Sequence, residues 1–455
     1  MIGKPQGVPQ TGPMNRILSS SFETKQGADY STSCNSAHCL GELRSRLQPY
    51  DIYIPTKAPP ATGYGMTLLL HSLAAMYNQF NGSHNQSQFG ERGTGSIVIT
   101  PEGRGPDGWY VEYAAADVFE VWQDVAARFP IDPAYTAIAG YSMGGYGTFR
   151  LGTLFPDLFY KAQPTVGPPG DGIWAPPGKV SGNTYCQLPS LRNIPVLSWN
   201  ATTDELVPVP GTEMQTNGGI ADGLQWDFWL FQPADHLTLA INDQFQPAAD
   251  FLGLGRVDRN PAHITYVVSP SMSFPALGMT ADHAYWLSGM QLRDSGPSAS
   301  SSCSGTNDSN AAPLGTIDVR SEAFGKGDPT PSGTQPGAGA LTGGTIPTIS
   351  YSRQFQTLGA PPVTPVADTL DINATNVDSV TVNVARARVD CNVKLNVTTD
   401  GPLTVTLNGL TGCNRIVSFP GPGAVTPEVP ASFLLLALGL APLGVVAARR
   451  RARQH

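Results

Sequence analysis

The feature that most constrains the fold of this chain is the stretch 136–149, TAIAGYSMGGYGTF. Its apolar start, Ala137 to Ala139, is typical of a buried strand, and the next residues match the pattern G-x-S-x-G. A backbone that turns sharply from strand into helix is crowded, so the residues flanking Ser142 need glycine. Leu151 and Leu154 continue at helical spacing. The stretch predicts a strained turn that presents the Ser142 hydroxyl; an unrelated glycine-rich turn is the alternative.

Alternating strand and helix patterns surround this turn. Strands are predicted at 50–54, 66–70, 96–100, 160–166, 194–199 and 226–231, with a helix at 114–128. Strands that alternate with helices favour right-handed β-α-β units. The expected fold class is α/β, with a mostly parallel central sheet flanked by helices and loops for the active site at the carboxyl ends of its strands.

Two later loops carry the residues that a reactive serine requires. A serine hydroxyl is a poor nucleophile until a base removes its proton, and the base needs a carboxylate to orient it. Asp204 and His236 each follow a predicted buried strand. The order Ser142, Asp204, His236 therefore predicts a catalytic triad.

Both partners of the serine have rivals in the sequence. Glu205 adjoins Asp204, which is preferred because Asp-x-Leu-Val-Pro resembles the acid loop of many α/β-hydrolases. His263 and His283 are alternative bases, but both lie in a later, β-rich part of the chain. For each rival the competing interpretation is an ordinary surface or core residue.

Attack on a carbonyl creates an oxyanion that needs two preorganised N–H donors. The backbone N–H of Met143, at the start of the helix, is the first expected donor. The second is expected from the loop after the strand that ends at Leu70, where either Ser72 or Leu73 is the donor. His71, in the same loop, is expected to be structural rather than a base.

Aromatic residues near these loops are candidates for binding substrate: Trp109, Tyr110, Tyr141 and Trp174. Trp109 and Tyr110 lie in a glycine-rich loop that reaches the same edge of the sheet, and core packing is an equal alternative for them. Trp174 lies in the Pro- and Gly-rich insertion 167–189, which is expected to cover the site.

The loop LLLHSL at 68–73 and the turn GYSMGGYG at 140–147 resemble those of the α/β-hydrolase superfamily. Within it they look like polyhydroxybutyrate depolymerase and feruloyl esterase relatives, and like the catalytic domain of prolyl oligopeptidase. The resemblance covers roughly residues 50–254. It implies a serine hydrolase that cleaves carboxylic esters through an acyl-enzyme, without metal or organic cofactor. A serine peptidase and a non-catalytic, surface-anchored binding protein are the alternatives.

The charge of the chain bears on its partners. The formal net charge is −8, although four arginines lie in the last seven residues. Phosphate binding needs clustered Lys and Arg, so this acidic body argues against a nucleic-acid partner. An ester-containing small molecule or polymer is the expected substrate.

Composition divides the chain into five expected parts: a polar N-terminal segment 1–45, a catalytic domain 46–254, a β-rich extension with a Ser/Gly/Pro-rich linker 255–347, a small antiparallel β module 348–420 and a tail 427–455.

The tail consists of Pro-Glu-Val-Pro, the apolar run 431–448 and an arginine cluster. Eighteen apolar residues lie at the lower limit for crossing a bilayer, so a membrane helix is predicted, with a buried helix as the alternative. The layout resembles bacterial PEP-CTERM sorting signals, from whose Pro-Glu-Pro motif it departs.

Six cysteines indicate a disulfide-permissive compartment: Cys34, Cys39, Cys186, Cys303, Cys391 and Cys413. Proximity favours pairing Cys34 with Cys39 and Cys391 with Cys413, which leaves Cys186 with Cys303; buried free thiols are the alternative. A secreted or surface-anchored location is expected. The first 30 residues lack the pattern of a signal peptide, so the native start is expected upstream of Met1.

Overall fold

The computed structural model describes residues 10–22, 25–29, 41–170, 184–296 and 313–425. These residues form a ten-stranded sheet with helices packed against it, and two smaller sheets of five and four strands.

The part of the chain before residue 253 carries, in order, β1 (Gly12–Ser19), β2 (Ala28–Asp29), β3 (Glu42–Leu43), β4 (Leu47–Ile54), β5 (Tyr64–Leu70), α1 (His84–Glu91), β6 (Ser96–Pro101), α2 (Glu112–Ala126), β7 (Ile131–Tyr141), α3 (Met143–Leu154), β8 (Ala162–Thr165), β9 (Val196–Ala201), α4 (Val209–Ala221), β10 (Trp226–Gln232), α5 (Thr238–Asn242) and α6 (Gln246–Leu252). The later part carries β11 (His263–Val268), β12 (Leu287–Leu292), β13 (Gly315–Ser321), β14 (Gln335–Thr342), β15 (Thr348–Gln356), β16 (Thr369–Thr375), β17 (Val377–Asn383), β18 (Lys394–Thr399), β19 (Leu403–Asn408), β20 (Arg415–Phe419) and β21 (Gly423–Val425). Short 3₁₀ turns occur at Pro156–Leu158, Tyr185–Leu191, Pro270–Met272, Pro275–Leu277 and Glu322–Phe324.

The large sheet has the strand order β1-β4-β6-β5-β7-β8-β9-β10-β15-β14. Neighbouring strands from β6 to β10 run parallel, whereas β4 is antiparallel to both β1 and β6. Strands β5 and β6 are buried along their whole length, which explains why the sequence shows them as unbroken apolar runs. The predicted α/β fold with a mostly parallel sheet is confirmed.

Helices cover both faces of this sheet because successive residues of a strand point to opposite sides. On β6, Ile97 and Ile99 belong to the same buried cluster as Val118 of α2. Val98, between them, belongs to a second cluster with Phe89 of α1. The second cluster continues into the interior between the two smaller sheets, so the core is shared across the molecule.

The N-terminal segment, expected to be polar, contributes a strand to the large sheet. Residues Gly12–Ser19 form β1, the edge strand, and pair with all of β4. Their side chains alternate between half-buried and exposed, so no apolar pattern marks the strand. Pairing here depends on backbone hydrogen bonds, which cannot be recognised from amino-acid composition.

The expected linker and β module are also divided differently in the structure. Residues 335–356 form the hairpin β14–β15, which adds two antiparallel strands to the edge of β10. Tyr351 stacks on Trp229 with ring centroids 4.1 Å apart, and Arg353 makes two hydrogen bonds to Asp227. The hairpin therefore belongs to the central sheet, although its Gly- and Pro-rich first strand resembles a linker in sequence.

The remaining strands form two facing sheets, ordered β11-β13-β16-β18-β21 and β12-β17-β19-β20. Their inward residues share one buried cluster, as in a β-sandwich. The expected antiparallel pairing is wrong for β16 with β18 and for β17 with β19, which run parallel. The chain alternates between the two sheets from β16 to β19, so next-but-one strands become parallel neighbours.

Hydrogen bonds attach this sandwich to the part of the chain before residue 253, near the end of α3. The Tyr266 hydroxyl donates to the carbonyl of Leu154, and the Tyr285 hydroxyl donates to the carbonyl of Pro156, each at 3.0 Å. Both tyrosines are buried. The helix that follows Ser142 is thus held at its far end by the sandwich.

The predicted Cys391–Cys413 disulfide is confirmed, and Cys186 is also disulfide-bonded. Cys34, Cys39 and Cys303 lie outside the described residues, so the other two pairings stay predictions. The expected membrane helix at 431–448 also lies outside them. Within the described ranges, no helix has both the length and the apolar character needed to cross a membrane.

Candidate active site

Ser142 lies between β7 and α3 in a backbone conformation with φ 55° and ψ −116°, which a residue with a side chain rarely adopts. The flanking glycines make this turn sterically accessible. A Cβ on Gly140 would lie 2.2 Å from the carbonyl oxygen of Gly144, and one on Gly144 would lie 2.0 Å from that of Leu70. The strained turn predicted from the sequence is therefore present.

The structure brings Ser142, His236 and Asp204 together as one hydrogen-bonded chain. The Nε2 atom of His236 lies 2.9 Å from Ser142 Oγ, and its Nδ1 lies 2.9 Å from each carboxylate oxygen of Asp204. Asp204 Oδ1 also accepts hydrogen bonds from the N–H groups of Leu206 and Val207. These bonds fix the carboxylate, and through it the imidazole, relative to the serine.

The loops that carry the acid and the base are joined to each other. The Thr203 N–H and hydroxyl both donate to the carbonyl of Ala234, at 3.0 and 2.8 Å. The Tyr141 hydroxyl donates to the His236 carbonyl at 2.6 Å. Burial raises the pKa of Tyr141, so its hydroxyl keeps the proton that this bond uses. Tyr141, the residue before Ser142, thus holds the backbone of His236.

The N–H groups near Ser142 distinguish the two candidates for the second oxyanion donor. Met143 is the first residue of α3, where the backbone N–H has no acceptor within the helix. The Ser72 N–H already donates to Gln79 Oε1 at 2.7 Å. The Leu73 N–H donates to no acceptor in the described part of the chain, which favours Leu73.

His71 lies buried behind this loop. Its ring nitrogens lie 2.9 Å from the Ser72 carbonyl and 2.8 Å from the Glu102 carbonyl. Burial lowers the pKa of His71 even though both backbone contacts oppose the shift. Its contacts are with the backbone of two loops, whereas Ser142 is bonded to His236.

A cavity of about 450 Å³ opens at Ser142. Its described walls are mainly apolar and include Leu73, Ala74, Ala75, Trp109, Pro168, Leu206, Val207, Leu237 and Ala240. Of the described lining residues, none carries a formal charge apart from what His236 can acquire. Such a wall suits an uncharged group with a large apolar part.

The four aromatic candidates have different positions. Trp109 and Tyr141 line the cavity, and the Trp109 ring is fixed by a 2.7 Å hydrogen bond to Asp107. Tyr110 is instead fully buried and donates to the His71 carbonyl, so its placement in the pocket was wrong. A large ring that follows a strand can face either way, and sequence cannot decide which. Trp174 lies outside the described residues.

The rival acid and bases are not in contact with the serine. Glu205 is exposed beside the buried Asp204. His263 is bonded to Asp318 and Asp328 in the sandwich, and His283 lies beside Asp282 with 41% of its side chain exposed.

Sequence reasoning missed Gln79 and the apolar residues Leu206 and Leu237, all of which line the cavity. Gln79 matches no motif. Leu206 and Leu237 could have been found, because they follow Asp204 and His236 within two residues and so must lie near the same opening. Throughout the described ranges, no group of three or more His, Cys, Asp or Glu side chains is arranged to hold a metal ion.

A mostly parallel sheet with a serine on a strand-to-helix turn, followed in order by a carboxylate and a histidine in later loops, is the architecture of the α/β-hydrolases. No family model and no curated protein matches the sequence.

Solved structures similar to this one include a thermostable esterase, with 19% identity over 46% of this chain and 59% of that chain and a TM-score of 0.38. A ferulic acid esterase has 14% identity over 53% of this chain and 97% of its own, with a TM-score of 0.41. The fluorophosphonate-binding serine hydrolase FphF of Staphylococcus aureus has 18% identity over 53% of this chain and 98% of its own, with a TM-score of 0.38. The chain thus spans less than two thirds of the thermostable esterase.

Proposed function

We propose that this protein is a serine hydrolase that cleaves uncharged carboxylic esters with a large apolar part. The observation that carries the proposal is the His236 Nε2 atom 2.9 Å from Ser142 Oγ, with Asp204 on the opposite ring nitrogen, at the floor of an apolar cavity. A hydroxyl and an imidazole in this relation can transfer a proton during nucleophilic attack.

In the proposed reaction Ser142 Oγ attacks the ester carbonyl while its proton passes to His236 Nε2. The tetrahedral oxyanion is held by the N–H groups of Met143 and Leu73. Collapse expels the alcohol, which takes the proton from His236 and leaves an acyl-enzyme on Ser142. Water then attacks the acyl group, with His236 again taking and returning one proton, and the carboxylic acid leaves.

The uncharged walls of the cavity support a neutral ester as substrate rather than a charged one. A carboxylate or ammonium group in this cavity loses hydration without gaining an opposite charge from the described lining residues. Export of the protein is part of the proposal and is supported by the disulfide between Cys391 and Cys413.

The proposal is tested with p-nitrophenyl butyrate and octanoate, the negatively charged p-nitrophenyl hemisuccinate, and a set of peptides. We expect turnover of the neutral esters, with the charged ester at least about tenfold poorer in kcat/KM. Ser142→Ala is expected to lower kcat by about 10³-fold or more, and a fluorophosphonate probe to label wild type alone. Equal activity of this variant, or turnover of peptides but not esters, contradicts the ester assignment.

A further inference from the structure

Gln79 forms a two-armed clamp on the residue next to the oxyanion donor. Its Oε1 accepts from the Ser72 N–H at 2.7 Å, and its Nε2 donates to Ser72 Oγ at 2.9 Å. The Ser72 hydroxyl in turn donates to the Tyr141 carbonyl at 3.2 Å. This chain of bonds links the loop 71–79, here called the oxyanion loop, to the strand that ends beside the nucleophile.

The direction of every bond in this chain follows from its chemistry. A backbone N–H can only donate, so the Gln79 amide must present its oxygen to Ser72 N. The amide nitrogen then faces Ser72 Oγ, which accepts and uses its own proton on the Tyr141 carbonyl. No donor faces a donor, and each bond supports the next.

The clamp acts at a place where the two loops already touch. A Cβ on Gly144 would lie 2.0 Å from the Leu70 carbonyl oxygen, so the start of the oxyanion loop packs against the first turn of α3. Because the Ser72 N–H is engaged, that of Leu73 is the next N–H along the loop, and it has no acceptor among the described residues. Both Leu73 and Gln79 line the cavity. The spacing between the N–H groups of Leu73 and Met143 therefore depends on where Ser72 is held.

We infer that Gln79 and Ser72 are positioning residues that set the oxyanion hole, with Leu73 rather than Ser72 supplying its second N–H. This inference rests on the proposed ester hydrolysis. Neither side chain is assigned a proton transfer: Gln79 acts through Ser72, and Ser72 acts through the backbone. Since oxyanion donors are used more strongly in the transition state than in the bound ester, their misplacement should lower kcat rather than raise KM.

The first test is Gln79→Met, which keeps the length of the side chain and removes both arms. We expect kcat on p-nitrophenyl butyrate to fall about 10- to 100-fold, with KM within about twofold of wild type. Gln79→Glu keeps an acceptor for the Ser72 N–H but brings a negative charge close to the oxyanion, so it is expected to lower kcat as well, without raising KM. Ser72→Ala removes the hydroxyl and with it the bonds to Gln79 Nε2 and to the Tyr141 carbonyl, but it keeps the bond from the backbone N–H to Gln79 Oε1. It is expected to lower kcat about 2- to 10-fold.

Gln354→Met is the matched control, because Gln354, on β15, donates to Asn217 of α4 and is not one of the described residues that line the cavity. It should retain wild-type kcat. A trifluoromethyl ketone, which forms a tetrahedral adduct on serine, should lose affinity for Gln79→Met by the same factor as kcat/KM, while affinity for the butyrate product stays constant.

The outcomes separate this inference from the proposed function. A wild-type protein that hydrolyses no ester overturns the proposed function itself. An active wild type whose Gln79→Met variant keeps kcat within twofold overturns only the clamp. If Gln79→Met fails to fold, as judged by circular dichroism, the kcat and KM of Ser72→Ala decide the question: an unchanged kcat overturns the clamp.

Discussion

His236 and His263 are both held between two hydrogen-bonding partners, but the partners differ. His236 lies between the Asp204 carboxylate and the Ser142 hydroxyl. His263, on β11 of the sandwich, lies between two carboxylates, with Nε2 2.8 Å from Asp318 and Nδ1 2.7 Å from Asp328.

The difference decides what each imidazole can do. Asp204 accepts a hydrogen bond from the protonated Nδ1 of His236. The Nε2 atom therefore keeps a lone pair, which faces the serine hydroxyl. At His263 both ring nitrogens face carboxylate oxygens, an arrangement that favours the doubly protonated imidazolium. One carboxylate with one hydroxyl thus suits a base, whereas two carboxylates favour a structural cation.

The charges around His263 fit this interpretation. Burial alone would lower the pKa of His263, but hydrogen bonds to Asp318 and Asp328 outweigh it and raise the pKa. Arg192 opposes the shift, and Arg320 Nη2 lies 3.2 Å from Nδ1 while also pairing with Asp328. Arg192 comes from the catalytic part and lies 3.7 Å from Asp318, so the cluster joins the two parts of the molecule.

The largest expected effect comes from changing the partner of His236. In Asp204→Asn the amide oxygen keeps the N–H groups of Leu206 and Val207, and the amide nitrogen then faces His236 Nδ1. Because an amide nitrogen only donates, Nδ1 of His236 must accept and Nε2 must carry the ring proton. His236 can then no longer take the proton of Ser142. We expect kcat to fall about 10⁴-fold with the fold retained, measured by ester turnover and thermal melting.

Glu205→Gln is the control for this substitution, because it makes the same chemical change at the exposed neighbouring carboxylate. Its kcat should stay within about twofold of wild type. A large loss in Glu205→Gln together with a small loss in Asp204→Asn would reverse the assignment of the acid.

A smaller effect, on stability rather than activity, is expected at the other histidine. His263→Ala removes hydrogen bonds to two partly exposed carboxylates, and the free energy of unfolding should fall by about 1–2 kcal/mol. Ester turnover at a temperature well below the melting point should not change. Denaturant titration of this variant beside His283→Ala, expected within about 0.5 kcal/mol of wild type, checks the claim. A loss of kcat in His263→Ala would erase the contrast between the two histidines.

The smallest effect is the pH dependence of that difference. Because the pKa of His263 is raised in the folded protein, its stabilisation is fully present below the ordinary value of 6.5 and is lost as pH rises through the folded pKa. The gap in unfolding free energy between wild type and His263→Ala should therefore narrow, by about 1 kcal/mol or less, from pH 6 to pH 9. A constant or widening gap over this range contradicts an imidazolium at His263.

The central strands and the acid and base loops could be predicted from sequence because each feature leaves a local mark. Strands buried on both faces are apolar runs, and Asp204 and His236 each follow such a run by a few residues. The outer strands leave no mark of this kind: β1 is half exposed, and β14 is rich in Gly and Pro. Their positions are set by backbone pairing with distant strands, which has no side-chain signature.

The details of the site divide in the same way. The order of Ser142, Asp204 and His236 follows from the succession of strands along the chain. The choice between Ser72 and Leu73 could not be made, because it depends on Gln79 folding back seven residues onto Ser72. Trp109 and Tyr110 are adjacent in sequence but differ in position: Trp109, bonded to Asp107, lines the cavity, whereas Tyr110 is buried and donates to the His71 carbonyl.

The hairpin β14–β15 has a consequence for dissecting this chain into pieces. The chain returns to the central sheet at β14 and β15 after β11, β12 and β13 have contributed to the two smaller sheets. The central sheet and the sandwich are therefore interleaved along the sequence rather than consecutive. A truncation after residue 254 would expose the backbone of β10 and the face of the Trp229 ring. The resulting unpaired edge strand, directly before the loop that carries His236, would be prone to aggregation. Expression of residues 1–254 as a separate protein therefore requires the hairpin as well, either in the whole chain or by circular permutation.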